Sequence, residues 1–202
     1  MADEGILSDV SSECSDCSYQ SEFDEDNKSF NFDLSNGSPI DNENFNIVHY
    51  NINSILAQDK LEQLASVSKL LNVDILILTE SKLDETIPSN IITLSGYHEP
   101  VRHDRVINGR HGGGIVMYIA EHLVFQHKKE FQSEYFEHLW VDIKLKNKTF
   151  AINALYRPPN ESAADHQIFL QTAENILLQL NNYDKAEYKI IASDLNFGNC
   201  FL

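Results

Sequence analysis

Apolar positions along this chain follow two rhythms, which predict strands alternating with helices. Ile47 to Tyr50 reads as a strand, and Asp74 to Thr79 holds a continuous apolar run of the kind buried on both faces. Ile115 to Ala120 is a third strand. His138 to Lys144 alternates through Leu139, Val141, Ile143 and Leu145, as a half-exposed strand should. Lys146-Asn147-Lys148 supplies a turn, Thr149 to Leu155 returns as the hairpin partner, and Lys189 to Ala192 is the last strand.

Helical spacing marks two segments. From Asp59 to Leu71 the apolar set is Leu61, Leu64, Ala65, Val67, Leu70 and Leu71; from Ala164 to Leu180 it is Ile168, Phe169, Ala173, Ile176, Leu177 and Leu180. Between them runs a long connection, Ser81 to Pro100, broken by Pro88 and Gly96, with a short strand suggested at Tyr97. A polar, basic loop from Arg102 to Gly113 follows. The hairpin interrupts the strand–helix alternation, so the expected class is α/β with mixed rather than purely parallel sheets. No internal repeat is visible.

Charge divides the chain. Residues 1–44 hold 12 acids and one lysine, net −11, while the other 158 residues hold 19 acids and 14 bases, net −5, which together give the overall −16. The first segment is rich in Ser, Asp, Glu and Asn and lacks a period, so it is expected to be disordered. Phe23, Phe30, Phe32 and Leu34 amid its acids would suit contact with a basic protein partner; a solvated leader is the plainer reading. The domain is expected to span 45–202.

Cys14 and Cys17 form a lone Cys-x-x-Cys without the further ligands that a zinc site needs, and Cys200 stands far from them. No disulfide framework, basic-apolar leader or membrane-length apolar run is visible. These absences lead us to expect an intracellular protein, nuclear or cytoplasmic, with no membrane partner.

The candidate chemistry sits where predicted strands end. Tyr50-Asn51-Ile52-Asn53-Ser54, Leu78-Thr79-Glu80-Ser81 and Ser193-Asp194-Leu195-Asn196 each follow an apolar run; Arg110-His111-Gly112-Gly113-Gly114 and Tyr156-Arg157-Pro158-Pro159 complete the set. Polar groups at strand carboxyl ends converge in one crevice of an α/β sheet. Glu80 ends a strongly apolar strand, where a carboxylate is costly unless a cation or donor meets it. Asp194 and Asn196 lie two apart, as do Asn51 and Asn53, so extended backbone would aim each pair one way; a local turn is the alternative. One Glu, one Asp and several Asn suit a hard divalent cation and a phosphate, the chemistry of an Mg²⁺-dependent phosphodiesterase. The glycine run lacks the pattern of a nucleotide-binding loop and reads as close backbone approach.

In this order the segments resemble the endonuclease/exonuclease/phosphatase superfamily, and within it the apurinic-like endonuclease domain of non-LTR (LINE-type) retrotransposons. "Asn-Ile-Asn-Ser-Ile", "Asp-Ile-Leu-Ile-Leu-Thr-Glu-Ser-Lys-Leu-Asp", "Arg-x-Gly-Gly-Gly-Ile", "Tyr-Arg-Pro-Pro-Asn" and "Ser-Asp-Leu-Asn" carry the likeness across about Asn46 to Asn199. The resemblance implies a two-sheet α/β sandwich with helices outside. It also implies a hydrolase that nicks DNA with Mg²⁺ (Mn²⁺ as the alternative) and leaves a 3′-hydroxyl to prime reverse transcription. By the same likeness Asn51 organises metal and phosphate, Glu80 binds the metal, Tyr156 lies beside the scissile phosphate, Asp194 orients the attacking water and Asn196 contacts the phosphate. Arg102, Arg105, Arg110 and His111 of the basic loop would grip substrate.

Two departures qualify that expectation. Apurinic endonucleases carry Asp where this chain has Asn53. The family also continues through further strands to a Ser-Asp-His-type motif, whereas this sequence ends at Leu202, shortly after Asn196. Last strands missing from one sheet would lower stability and impair catalysis. Two other outcomes therefore stay open: a non-catalytic remnant or binding module, and a phosphomonoesterase or phospholipid phosphodiesterase on the same fold. The modest basicity of the core weighs against a DNA substrate.

Overall fold

The computed structural model describes residues 45–105, 112–133, 136–159 and 162–196. The acidic segment with Cys14 and Cys17, the loop residues Arg110 and His111, and Cys200 lie outside the described residues. The described part forms two four-stranded sheets and two α-helices. In chain order these are β1 (Ile47–Asn51), α1 (Lys60–Leu70), β2 (Ile75–Thr79), β3 (Val101–His103), β4 (Ile115–Ile119), β5 (Val124–His127), β6 (His138–Leu145), β7 (Lys148–Tyr156), α2 (Ala163–Asn181) and β8 (Tyr188–Asp194).

The sheet orders are β1-β2-β4-β3 and β5-β6-β7-β8. Read inward from β1 and from β8, both sheets pair first parallel, then twice antiparallel. Each parallel pair is joined through a helix, α1 between β1 and β2 and α2 between β7 and β8, because parallel neighbours need a crossover. Both sheets are mixed, as the hairpin had suggested, and the α/β sandwich is the observed class.

Strand alternation builds the core. Ile75 and Ile77 of β2 and Ile115, Met117 and Ile119 of β4 face Leu139, Val141 and Ile143 of β6 and Ile152, Ala154 and Tyr156 of β7 in one buried cluster. The outer face of the second sheet is covered by α2: Phe169 and Ile176 meet Phe136 and Leu155, and Leu180 joins Trp140, Ala151 and Tyr183. That cover corrects the half-exposed reading of β6. Its first six residues are buried on both faces, since Trp140 and Asp142 of the outer face lie under Tyr183, whose hydroxyl donates to Asp142.

Other boundaries shift for local reasons. Strand β3 begins inside what the sequence suggested was loop, and pairs with β4 from Val101 to His103. Tyr97 makes only an isolated bridge to Ala120. Strand β5 has no sequence signal of its own, being four residues long and half polar, and owes its place to pairing with β6. Ile168 and Leu177 of α2 are exposed, as are Ala65 and Leu70 of α1, so the apolar stripes are narrower than the spacing implied. No helix among the described residues is long and apolar enough to cross a membrane.

Candidate active site

One rim of the sandwich gathers the carboxyl ends of β1, β2, β7 and β8. Two side-chain contacts stitch the sheets together there. Asn51, at the end of β1, donates through Nδ2 to Asp194 Oδ2 at 2.9 Å, and Asp194 ends β8. Tyr156, ending β7, donates its hydroxyl to Glu80 Oε1 at 3.2 Å, just past β2. Thr79, wholly buried, adds a second donor to Asp194 Oδ2 at 3.1 Å. Both donors meet one carboxylate oxygen. Among the described residues Oδ1 of Asp194 receives no hydrogen bond.

The backbone is bent to hold this set. Glu80 has φ of 54°, which turns its side chain out of the β2 ladder toward Tyr156. The loop after β1 runs beside it: Ile52 donates from its N–H to Thr79 O (2.9 Å), Ser54 to Glu80 O (2.8 Å) and Ile55 to Ser81 O (3.0 Å). Asn51 Oδ1 accepts from the N–H of Asn53 (3.1 Å), an Asx-type turn that fixes the Asn51 side chain. Burial pushes the Tyr156 hydroxyl well above the ordinary tyrosine range, and the Glu80, Glu137 and Asp194 carboxylates push it further, so it stays protonated and donates.

The glycines do what close approach demands. A Cβ on Gly114 would lie 2.5 Å from Ser81 Oγ. One on Gly113 would lie 2.7 Å from Glu137 Oε1 and 2.9 Å from Tyr156 Cε1. Both positions have positive φ, so the run carries β4 into the rim past Ser81 and Tyr156.

Several sequence expectations change here. Asn53 and Asn196 leave the extended region, with φ of 46° and 41°, so neither shares the direction of its partner two residues earlier. Asn196 donates from Nδ2 to Arg157 O (2.9 Å), while Arg157 donates from its N–H to Asp194 O (2.9 Å) and from its guanidinium to Leu195 O and Asn196 O. Arg102 is spent inside the fold: its guanidinium meets the Asp104 carboxylate and donates to Ile87 O and Asp84 O. Arg105 lies 3.5 Å through Nε from Glu137 Oε1, close under Gly113.

Four contributors had no role assigned from the sequence. Thr79, Glu137 and Arg157 sit on or beside strand ends, and His49 lies in the middle of β1. His49 faces the core two residues before Asn51, with Nε2 buried and unpartnered among the described residues. Burial lowers its imidazole below the usual value, and the nearby Asp194 charge opposes that. Alternation from Asn51 back along β1 was the one signal that would have placed His49 on this side.

For a metal, the donor set is sparse but of the right kind. Among the described residues no three His, Cys, Asp or Glu side chains form a cage. Glu80 and the Asn51 amide oxygen are hard oxygen donors at one rim. A small cation that keeps its waters and is completed by substrate phosphate needs only one or two carboxylates from protein. The residues present therefore fit an Mg²⁺ ion whose remaining ligands would come from water and substrate phosphate.

No protein-family model matches this chain, and no curated protein matches it in sequence. Solved structures do match. The endonuclease domain of TRAS1, a telomere-specific non-LTR retrotransposon, aligns at TM-score 0.52 and 13% identity over 76% of this chain and 59% of its own. The AP endonuclease LMAP from Leishmania major aligns at TM-score 0.57 and 17% identity over 75% and 55%, and ANGEL2, a 2′,3′-cyclic phosphatase, at 0.50 and 16% over 75% and 52%. The chain thus spans between about half and three fifths of these neighbours' length. At such identities the likeness is one of fold alone, shared with two endonucleases and a cyclic phosphatase.

Proposed function

We propose that this rim is a phosphodiesterase site for DNA, of the kind that nicks one strand and leaves a 3′-hydroxyl from which reverse transcription could be primed. The observation that carries the reading is the pair of carboxylates brought together from different sheets, Asp194 bound by Asn51 and Thr79, and Glu80 bound by Tyr156. A likeness in fold to a retrotransposon endonuclease and an AP endonuclease supports the substrate class.

In this reading Glu80 and Asn51 hold Mg²⁺, or Mn²⁺ in its place. The bound cation would supply charge neutralisation at the phosphate and the departing oxygen. The protein's own residues do the rest. Asp194, oriented through Oδ2, turns Oδ1 toward a water and takes its proton as the water oxygen bonds to phosphorus. The phosphorus–O3′ bond breaks in line, and O3′ leaves with a proton from solvent. Tyr156, kept protonated, can donate to a non-bridging phosphate oxygen as readily as to Glu80. Asn196 has a second amide N–H for the phosphate while the first holds Arg157 O.

The experiment is incubation of supercoiled plasmid with Mg²⁺ and with chelator, followed by polymerase extension from the nick. Metal-dependent nicks that extend without end repair support the reading. Cleavage that ignores chelator, or ends that cannot be extended, would count against it. A phosphatase substrate is the competing reading on this fold; release of inorganic phosphate from monoesters without plasmid nicking would favour it.

A further inference from the structure

Two lysines converge on Asn53 at the flank of the rim. Lys82 donates from Nζ to Asn53 Oδ1 at 2.5 Å, and Lys60, the first residue of α1, donates from Nζ to Asn53 O at 3.1 Å and to Ile52 O. Burial lowers the Lys60 ammonium from its ordinary value, and the neighbouring Lys82 charge lowers it further, so the two cations lie within each other's field. Among the described residues neither ammonium faces a carboxylate. A domain segment with net charge −5 could have neutralised them, yet their partners are two carbonyls and an amide oxygen. The loop that carries Asn53 is itself held in place. Asn53, Ser54, Glu80 and Lys82 all have positive φ, and the N–H groups of Ser54 and Lys82 donate to Glu80 O and Gly113 O at 2.8 Å each.

We propose that Lys60, Asn53 and Lys82 form a second phosphate subsite, which grips the DNA backbone beside the phosphate held at Glu80 and Asp194. The proposal rests on the nuclease reading above and names where the flanking strand lies. A polymer threaded through the rim presents phosphates at regular intervals, so a neighbour of the scissile one must pass over a flank. Asn53 orients both ammonium groups without cancelling either charge. An aspartate there would keep the geometry, since Asp also tolerates this left-handed conformation, and would neutralise Lys82. The amide at position 53 thus sets the charge of the flank.

The test is duplex binding by the whole chain with Ca²⁺ in place of Mg²⁺, measured across a salt series. Each phosphate contact adds about 0.9 to the slope of log affinity against log salt. Lys82→Met, at an exposed side chain, and Asn53→Asp are each expected to lower the slope by roughly one contact. Lys146→Met, in the β6–β7 turn at the opposite end of the sandwich, should leave it unchanged; melting temperatures check that each variant folds. If the wild type nicks plasmid and binds with a salt slope that Lys82→Met and Asn53→Asp do not change, the subsite is wrong and the nuclease reading stands. A slope lowered as much by Lys146→Met would also overturn it. Absence of duplex binding by the folded wild type would overturn both.

Discussion

Asn51 and Asp194 are 143 residues apart in the chain and share a hydrogen bond of 2.9 Å across the mouth of the sandwich. Each ends an edge strand, one in each sheet, so this contact measures whether the two sheets are set together correctly. Thr79 holds the same carboxylate oxygen from the neighbouring strand. Asn51→Ala removes one of two donors and should slow cleavage by about 10- to 100-fold, the worth of one hydrogen bond to a charged group. Asp194→Asn keeps the shape and removes the proton acceptor, and should cost about 10²- to 10⁴-fold. Single-turnover nicking rates at saturating protein compare the two.

Tyr156→Phe isolates the second cross-sheet contact. The ring is buried in the core cluster and keeps its packing, while the hydroxyl that donates to Glu80 is lost. Cleavage should fall by about 10- to 100-fold with little change in melting temperature. A variant that melts far lower would mean the hydroxyl serves the fold instead.

The strand pattern and the strand-end chemistry were legible in the sequence because both follow from burial. A short continuous apolar run such as Ile75 to Leu78, rich in β-branched residues, suits a strand covered on both sides, and a polar residue ending such a run is placed toward a rim. Glu80, Asp194 and Asn51 were found that way, Tyr156 came from the family likeness, and the four side chains meet at one rim. What stayed hidden depends on tertiary partners. Strand β5 exists because β6 offers it an edge, and β6 is doubly buried because α2 and Tyr183 cover Trp140 and Asp142. The bends at Asn53 and Asn196 defeated the two-residue alternation, since both take left-handed conformations that Asn tolerates and extended-strand reasoning ignores. Arg102 reads as a substrate cation until its bonds to Asp104, Asp84 and Ile87 are seen.

Gly113 and Gly112 offer a matched comparison. Both have positive φ, so alanine strains either backbone, but only at Gly113 does the new Cβ strike Glu137 and Tyr156. Gly112→Ala should cost about 1 kcal/mol, and Gly113→Ala should exceed it by roughly 1–3 kcal/mol through overpacking. Urea unfolding of the two variants reads the difference, and equal losses would argue against the close approach.

Acid should weaken the fold through one buried histidine, His138, and two half-buried ones. Burial lowers the imidazoles of His103, His127 and His138 below the ordinary 6.5, with the hydrogen bond from His138 to Asn153 opposing this only in part. The unfolded chain therefore takes up protons that the folded chain refuses. Stability is unaffected by these groups above 6.5 and falls as pH drops from 6.5 toward their lowered values. The urea midpoint should be lower at about pH 5.5 than at about pH 7.5, and His138→Gln should flatten that dependence. A midpoint that does not move would contradict the burial of these rings.

If strand ends from both sheets make one metal-dependent cleavage site, both carboxylates must be needed for it. The most direct measurement is the nicking rate of supercoiled plasmid in Mg²⁺ by the wild type, Glu80→Gln and Asp194→Asn, with folding checked by circular dichroism. Chelator-sensitive nicking by the wild type is expected, with losses of about 10²-fold or more in both variants. No metal-dependent nicking by the folded wild type, or variants that cleave as fast as it does, would mean that Glu80 and Asp194 do not form a metal-dependent cleavage site.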